Sequence, residues 1–295
     1  MQKAASSFLR GLLVQVPSIA VSPQQELNFF RSEEDRSLSA YLACFPEERP
    51  VLFENSPVYF REGAACAPAI AEILGAREPI LSLLLRDPVE AVLSHHDMRL
   101  RQGLFERNLG YQGDPTDLME FLGKNPTYIN DWRYGTILER YWMPHFPQER
   151  LLIRTFEEFT ADPVEVIRDL AGFCGIDRIG PINTNKAWKN PRPASPRINQ
   201  LMLLTNRNRV LRAARRGAMA IPGLRRASER ILFNSPRTAA KSCKRMDDVK
   251  AQLTEILRSE VMRVCELMSR DSLPWPNFFP DSQHRLTAAA PCESS

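Results

Sequence analysis

The segment from Ile80 to Ser94 constrains the fold of this chain more than any other stretch. A near-continuous apolar run, residues 80–85 with Ser82 inside it, ends at Arg86, and a proline then separates it from a helical pattern that carries Ser94. Such a run is typical of a parallel strand buried on both faces. Binding sites of open α/β sheets lie at the carboxyl ends of these strands, and helix starts favour anions. The segment predicts a phosphate site formed by Arg86 and Ser94, with Asp87 capping the helix.

Strand-like and helix-like patterns alternate along the chain. Short apolar runs predict strands over residues 19–21, 51–53, 80–85 and 151–153. Helical spacing predicts helices over residues 4–14, 37–44, 67–74, 89–101, 131–142, 164–174 and 247–268. Asp162 and Pro163 are predicted to be the N-cap and the first-turn proline of the helix at 164–174. Residues 102–128 are polar with several Gly and Pro, which predicts a long excursion over the active face. The alternation indicates an α/β fold with a parallel sheet and right-handed crossovers.

Composition excludes several classes of protein. Six cysteines are scattered over 295 residues without a C-x-x-C pair, which argues against a metal site and a disulfide framework and favours a cytoplasmic protein. No apolar run approaches the length of a membrane span. Residues 197–245 hold 13 basic residues and one acidic residue, Glu229. This basic helical segment predicts either an anionic surface for a partner or a solvated helical face.

Four motifs, in their order and spacing, resemble the sulfotransferases that use 3′-phosphoadenosine 5′-phosphosulfate (PAPS). Arg86-Asp-Pro-x5-Ser94 is similar to the family's 3′-phosphate motif. Gln2-Lys3-Ala4-Ala5-Ser6-Ser7 resembles its 5′-phosphosulfate loop, G-x-x-K-x-G-T-[ST]-x-L. Such a loop binds the anion through backbone N–H groups at a helix start, and its lysine offsets charge on the bridging oxygen. Ala5 stands where the family usually has Gly.

Two further motifs surround the expected reaction centre. Gln25-Glu26-Leu-Asn28-Phe-Phe resembles K-E-x-H-F-F, in which the Glu is the general base. Glu54-Asn55-Ser56-Pro-Val-Tyr resembles E-K-[ST]-P-x-Y, in which some members place a catalytic Lys. Gln25, Asn28 and Asn55 stand where these family motifs have ionisable residues. Glu26 is therefore the catalytic residue of these two motifs that this chain keeps.

The resemblance implies the fold and the reaction. It implies a P-loop-like three-layer domain with a central parallel sheet flanked by helices, over residues 1–280, followed by a disordered tail at 281–295. A strand should precede the Lys3 loop, and this first strand is expected to be missing. The implied function is sulfuryl transfer from PAPS, without a metal, to a hydroxyl or amine of a small molecule, glycan or lipid. Glu26 and Lys3 would be catalytic, and Lys3, Ala4, Ala5, Ser6, Ser7, Arg86 and Ser94 would bind PAPS.

Two other classes remain open at this point. A degenerate, non-catalytic nucleotide-binding relative would keep the fold, and the Ala5 and Asn55 departures favour it slightly. A P-loop kinase would need G-x-x-x-x-G-K-[ST], which this loop lacks. The sequence does not specify the acceptor or the oligomeric state, and no nucleic-acid partner is expected.

Overall fold

The computed structural model describes residues 4–31, 37–45, 48–102, 114, 116–186 and 243–282. The chain divides into two compact units. The larger unit comprises Met1–Val92, Tyr128–Lys189 and Lys250–Ser295, and the smaller comprises Leu93–Thr127 and Asn190–Val249. The single domain over residues 1–280 stays a prediction. The basic segment and the tail lie almost entirely outside the described residues.

Helices and strands alternate, as predicted. The strands are β1 (Ile19–Val21), β2 (Val51–Phe53), β3 (Leu81–Leu85) and β4 (Leu151–Thr155). The α-helices are α1 (Ser6–Leu13), α2 (Leu38–Leu42), α3 (Val58–Arg61), α4 (Gly63–Leu74), α5 (Pro88–Gln102), α6 (Leu118–Lys124), α7 (Tyr134–Ile137), α8 (Phe156–Ala161), α9 (Pro163–Phe173) and α10 (Cys243–Leu267). The chain also forms 3₁₀ turns at Phe29–Arg31, Gly75–Arg77, Pro126–Trp132, Gln148–Arg150, Thr184–Lys186 and Pro280–Ser282, and a π-helical turn at Leu138–Trp142.

The strands of the larger unit form two parallel pairs. Residues 19–21 of β1 align with residues 51–53 of β2. Residues 81–85 of β3 align with residues 151–155 of β4. Within the described residues no strand joins β2 to β3, so the parallel strands form two small sheets. Parallel pairing confirms the predicted α/β class, whereas the described strands form two separate pairs and not one continuous sheet.

Apolar faces of the helices build the core of the larger unit. Leu9, Leu12 and Leu13 of α1 are buried, and the Phe8 ring lies 5.3 Å from that of Phe159 on α8. The carboxylate of Asp162 accepts hydrogen bonds from the N–H groups of Val164 and Glu165, at 3.0 and 2.9 Å, and so starts α9. The helix start predicted at residues 162–163 is therefore confirmed.

The smaller unit contains a helix where the sequence predicts a long polar excursion. Asp117 caps α6 by accepting a hydrogen bond from the Glu120 N–H at 3.1 Å. Leu118, Phe121 and Leu122 are buried at helical spacing, which stabilises the helix. The expectation for residues 102–128 was therefore wrong over Leu118–Lys124, because an aspartate cap and an apolar face outweigh the polar composition. Residues 103–113 and 115 lie outside the described part.

Candidate active site

The start of α1 has the backbone conformation that a phosphate-binding loop needs. Ala5 has φ 56° and ψ 29°, the left-handed conformation that usually requires glycine. The Ala5 carbonyl accepts hydrogen bonds from the N–H groups of Phe8 and Leu9 at 2.9 and 3.0 Å. The N–H groups of Ser6 and Ser7, the first two residues of α1, have no acceptor within an α-helix, so they are available to an anion. Ala5 therefore has a left-handed backbone at the position where the family usually has glycine, while Lys3 lies outside the described residues.

The segment that carries Glu26 lies against this helix start. The Gln25 side chain donates a hydrogen bond to the Ser7 hydroxyl at 2.8 Å. The Arg10 guanidinium, one turn further along α1, donates to the carbonyl oxygens of Ser22 and Pro23. Glu26 itself is exposed. These contacts bring the predicted base next to the predicted donor loop.

The segment after β2 joins the same cluster. The Asn55 amide donates a hydrogen bond to the Ser6 carbonyl at 3.0 Å. The Ser56 hydroxyl accepts from the Asn28 N–H at 3.0 Å and donates to the Glu54 carboxylate at 2.7 Å. Asn28 has φ 53°, a left-handed conformation that asparagine tolerates better than most residues. Three of the four predicted motifs therefore meet at one place, which we call the loop junction (Ala4–Ser7, Gln25–Asn28 and Glu54–Ser56).

Glu54 has a carboxyl group to which the sequence motifs assign no role. Burial raises its pKa, although hydrogen bonds from Ser56 and Tyr59 oppose the shift. Burial, followed by the nearby Glu54 charge, raises the pKa values of the Tyr41 and Tyr59 hydroxyls. The position of Glu54 directly after the strand predicted at residues 51–53 is the sequence signal that could have identified it. Glu54 holds Ser56, which in turn holds the backbone two residues beyond Glu26.

The predicted 3′-phosphate motif lies at the carboxyl end of β3. Arg86 is half-buried, and its guanidinium carbon lies 4.8 Å from the centre of the Phe156 ring. The Asp87 carboxylate accepts hydrogen bonds from the N–H groups of Val89 and Glu90, at 2.9 and 3.3 Å, which confirms its role as the α5 cap. Ser94 is half-buried on α5, in the part of the helix that belongs to the smaller unit. Joint binding of one phosphate by Arg86 and Ser94 stays a prediction.

A buried group of polar side chains, which no sequence motif predicted, supports the turn that carries Arg86. Glu157 accepts hydrogen bonds from the Asp87 N–H at 3.3 Å and from the Trp275 indole at 2.9 Å. The Asn277 amide donates to the second carboxylate oxygen of Asp87 at 2.8 Å. Burial raises the pKa of Asp87, and it raises that of Glu157 to about 7. We call these four residues the carboxylate cluster (Asp87, Glu157, Trp275 and Asn277).

A cavity of about 480 Å³ lies beside the loop junction. Its polar lining includes Ser6, Glu54, Asn55 and Ser56. Its apolar lining includes residues of β2 and β3. This volume is in the range of small-molecule sites. A concave site therefore adjoins three of the predicted motifs.

Comparisons with known proteins show similarity in sequence and in fold. No family model matches the chain. A bifunctional heparan sulfate N-deacetylase/N-sulfotransferase 1 from Caenorhabditis briggsae is 22% identical over 191 residues, which are 58% of this chain and 21% of that protein. The crystal structure of a sulfotransferase from Alicyclobacillus acidocaldarius superposes with a TM-score of 0.58 at 19% identity, covering 93% of this chain and 95% of that one.

The chain has a sulfotransferase-like fold. The resemblance predicted from the four motifs is confirmed, since one relative matches in sequence and another in structure. The chain spans only about a fifth of the bifunctional relative, so the other part of that protein has no counterpart in the match. Among the described residues, no helix is both long and apolar enough to cross a membrane.

Proposed function

We propose that the protein transfers a sulfuryl group from PAPS to a hydroxyl or amine of a glycan, lipid or small molecule. The observation that carries the proposal is the loop junction, where hydrogen bonds join the donor-loop, base and post-β2 motifs. The two relatives support the same reaction class through their names and the shared fold. An amine acceptor has support from the name of the worm relative, an N-sulfotransferase.

In the proposed reaction the acceptor attacks sulfur in line with the bond to the 5′-phosphate oxygen. The acceptor O–S or N–S bond forms as that S–O bond breaks, and adenosine 3′,5′-bisphosphate leaves. Glu26 takes the acceptor proton, since its segment lies beside the α1 start and its side chain is exposed to incoming substrate. Lys3 and the first N–H groups of α1 stabilise charge on the departing oxygen.

Arg86 and Ser94 hold the 3′-phosphate in this proposal. A guanidinium can bind phosphate as a bidentate fork, and a hydroxyl adds one donor. The Phe156 ring and the carboxylate cluster give the Arg86 turn a fixed environment. Their contribution is to position the donor, because neither group reaches the reacting sulfur in this scheme.

The test separates recognition of the 3′-phosphate from general nucleotide binding. Calorimetry compares adenosine 3′,5′-bisphosphate with adenosine 5′-monophosphate, which lacks that group. We expect the protein to prefer the bisphosphate about 100-fold, and Arg86→Ala to abolish the preference. Arg258→Ala, which removes an exposed guanidinium on α10, is the matched control. Equal affinities of the unaltered protein for both nucleotides would contradict the assignment.

A non-catalytic nucleotide-binding relative is the second candidate. The amides of Gln25 and Asn55, which replace ionisable residues of the family, are engaged in hydrogen bonds between segments. Glu26→Gln distinguishes the candidates when sulfuryl transfer from radiolabelled PAPS is measured over a panel of acceptors. An enzyme should lose turnover about 100-fold or more while keeping bisphosphate affinity. If Glu26→Gln turns over as fast as the exposed control Glu72→Gln, Glu26 is not the base. Turnover of ATP with magnesium would instead favour a kinase.

A further inference from the structure

Two backbone N–H groups in the segment after Glu26 donate hydrogen bonds to side-chain hydroxyls from another part of the chain. The Asn28 N–H donates to the Ser56 hydroxyl at 3.0 Å, and the Phe30 N–H donates to the Tyr59 hydroxyl at 3.3 Å. Ser56 and Tyr59 are each only 8% exposed. Two buried hydroxyls therefore hold the segment of the proposed base on its carboxyl-terminal side.

Both hydroxyls also hydrogen-bond the carboxylate of Glu54. Ser56 donates to it at 2.7 Å, a distance usual for a strong O–H···O bond, and the hydrogen bond from Tyr59 lowers the pKa of Glu54 against the effect of burial. A hydroxyl has one proton to donate and two lone pairs that accept, whereas an ionised carboxylate only accepts. Glu54 therefore turns both hydroxyl protons toward itself and leaves the hydroxyl lone pairs to face the two backbone N–H groups.

The backbone held in this way has an unfavourable conformation close to Glu26. Asn28, two residues beyond Glu26, has φ 53°, in the left-handed region. Such residues keep this conformation where the surrounding contacts hold them. The next contact along the chain is the Phe30 ring, whose centre lies 5.6 Å from that of Tyr59 and 5.0 Å from that of Tyr41. The position of Glu26 thus depends on contacts that its own side chain does not make.

We propose that Glu54 is a positioning residue, which fixes the backbone that carries Glu26 through the hydroxyls of Ser56 and Tyr59. The inference rests on the proposed function, because it gives Glu54 a part in that reaction. Glu54 takes no proton from the acceptor and touches no reacting atom in this scheme. Its contribution is to keep the Glu26 carboxylate where the acceptor approaches the sulfur, which affects the chemical step.

Glu54 and Asn55 are neighbours in the chain, yet they hold different parts of the loop junction. The Asn55 amide donates to the Ser6 carbonyl in the donor loop, whereas Glu54 acts on the segment after Glu26. Loss of Glu54 should therefore lower kcat and leave donor binding intact. Loss of the Asn55 amide should instead weaken donor binding.

The experiment compares three variants of the full chain. Glu54→Gln replaces one acceptor oxygen by an amine donor, and Ser56→Ala and Tyr59→Phe each remove one hydroxyl. Hydrogen exchange of residues 24–31 is measured by mass spectrometry without nucleotide, and kcat and KM are measured for sulfuryl transfer from PAPS. We expect faster exchange and a kcat about 10-fold lower in Glu54→Gln, with the KM for PAPS within about twofold of its original value.

Two further variants separate positioning from a general loss of stability. Ser56→Thr keeps the hydroxyl and should retain the exchange rate and kcat that Ser56→Ala loses. Tyr41→Phe is the matched control, because the Tyr41 side chain is also buried beside the Glu54 charge. Its hydroxyl makes no hydrogen bond to residues 24–31, all of which belong to the described part of the chain. Tyr41→Phe should change neither readout.

Three outcomes would overturn the proposal. The first is unchanged exchange of residues 24–31 in Glu54→Gln, and the second is faster exchange with an unchanged kcat. The third is a loss that appears in the KM for PAPS and not in kcat, which would place Glu54 with the donor site. If the unaltered protein transfers no sulfuryl group to any acceptor, the proposed function fails. The exchange measurement then decides by itself whether Glu54 holds the segment.

Discussion

The carboxylate cluster and the loop junction support two parts of the same candidate site by different means. The cluster lies beside a five-residue strand pair, and its partners Trp275 and Asn277 come from a distant part of the chain. The loop junction lies beside a three-residue pair and relies on hydrogen bonds between its three segments and on two residues with positive φ, Ala5 and Asn28. The comparison teaches that the cluster depends on burial and protonation, whereas the junction depends on backbone conformation and single hydrogen bonds.

Truncation of the cluster's aromatic partner should have the largest effect. Trp275 is fully buried, so Trp275→Ala leaves a cavity and removes a donor from Glu157. We expect a loss of about 3–5 kcal/mol in the free energy of unfolding, measured with urea. Phe173→Ala, at a partly exposed position, is the control and should cost much less. If both variants lower the free energy of unfolding by a similar amount, Trp275 contributes no more to stability than a partly exposed residue does.

The cluster should also make stability depend on pH. The folded-state pKa of Glu157 is about 7, above its ordinary value of 4.5, so the folded protein binds this proton more tightly than the unfolded chain. The stabilisation is complete below pH 4.5 and is lost as the pH rises through 7, by about 3 kcal/mol at most. Urea unfolding across this range measures the loss. Glu157→Gln should flatten the profile, whereas Glu149→Gln should not, and an unchanged profile in Glu157→Gln would locate the titration elsewhere.

At the loop junction, removal of one hydrogen bond should have a moderate effect. Asn55→Ala deprives the Ser6 carbonyl of its side-chain donor and should cost about 1–2 kcal/mol of stability. If the junction shapes the donor loop, affinity for adenosine 3′,5′-bisphosphate should fall as well, which calorimetry detects. Gln24→Ala, whose amide bonds only within its own segment, is the matched control. If Asn55→Ala leaves the affinity for the bisphosphate unchanged, the loop junction does not shape the donor site.

The smallest effect should be a gain in stability. Ala5→Gly removes the side chain that makes the left-handed conformation unfavourable and should stabilise the fold by about 0.5–1 kcal/mol in urea unfolding. The same exchange inside α4, Ala71→Gly, should destabilise by a similar amount because that backbone is helical. If both substitutions destabilise equally, the helix start at Ala5 is not strained.

Local patterns predicted most of the elements and several of their ends. The apolar run at 80–85 predicted β3, and Asp87 and Asp162 were identified as helix caps, because caps and periodicity involve residues that are close in sequence. The same reasoning overlooked α6, where an Asp117 cap and three apolar residues are embedded in polar sequence. The functions of Lys3, Glu26, Arg86 and Ser94 stay predictions.

By itself, the sequence determined the alternation of strands and helices and the order of the four motifs, since both depend on neighbouring residues. Only the tertiary structure decided which motifs touch. It brought Asn277 to Asp87, 190 residues away in the chain, and it turned Gln25 and Asn55 into links between loops. It also decided the pKa of Glu157 and the space between β2 and β3. Burial and strand pairing are set by distant parts of the chain, and no local pattern specifies them.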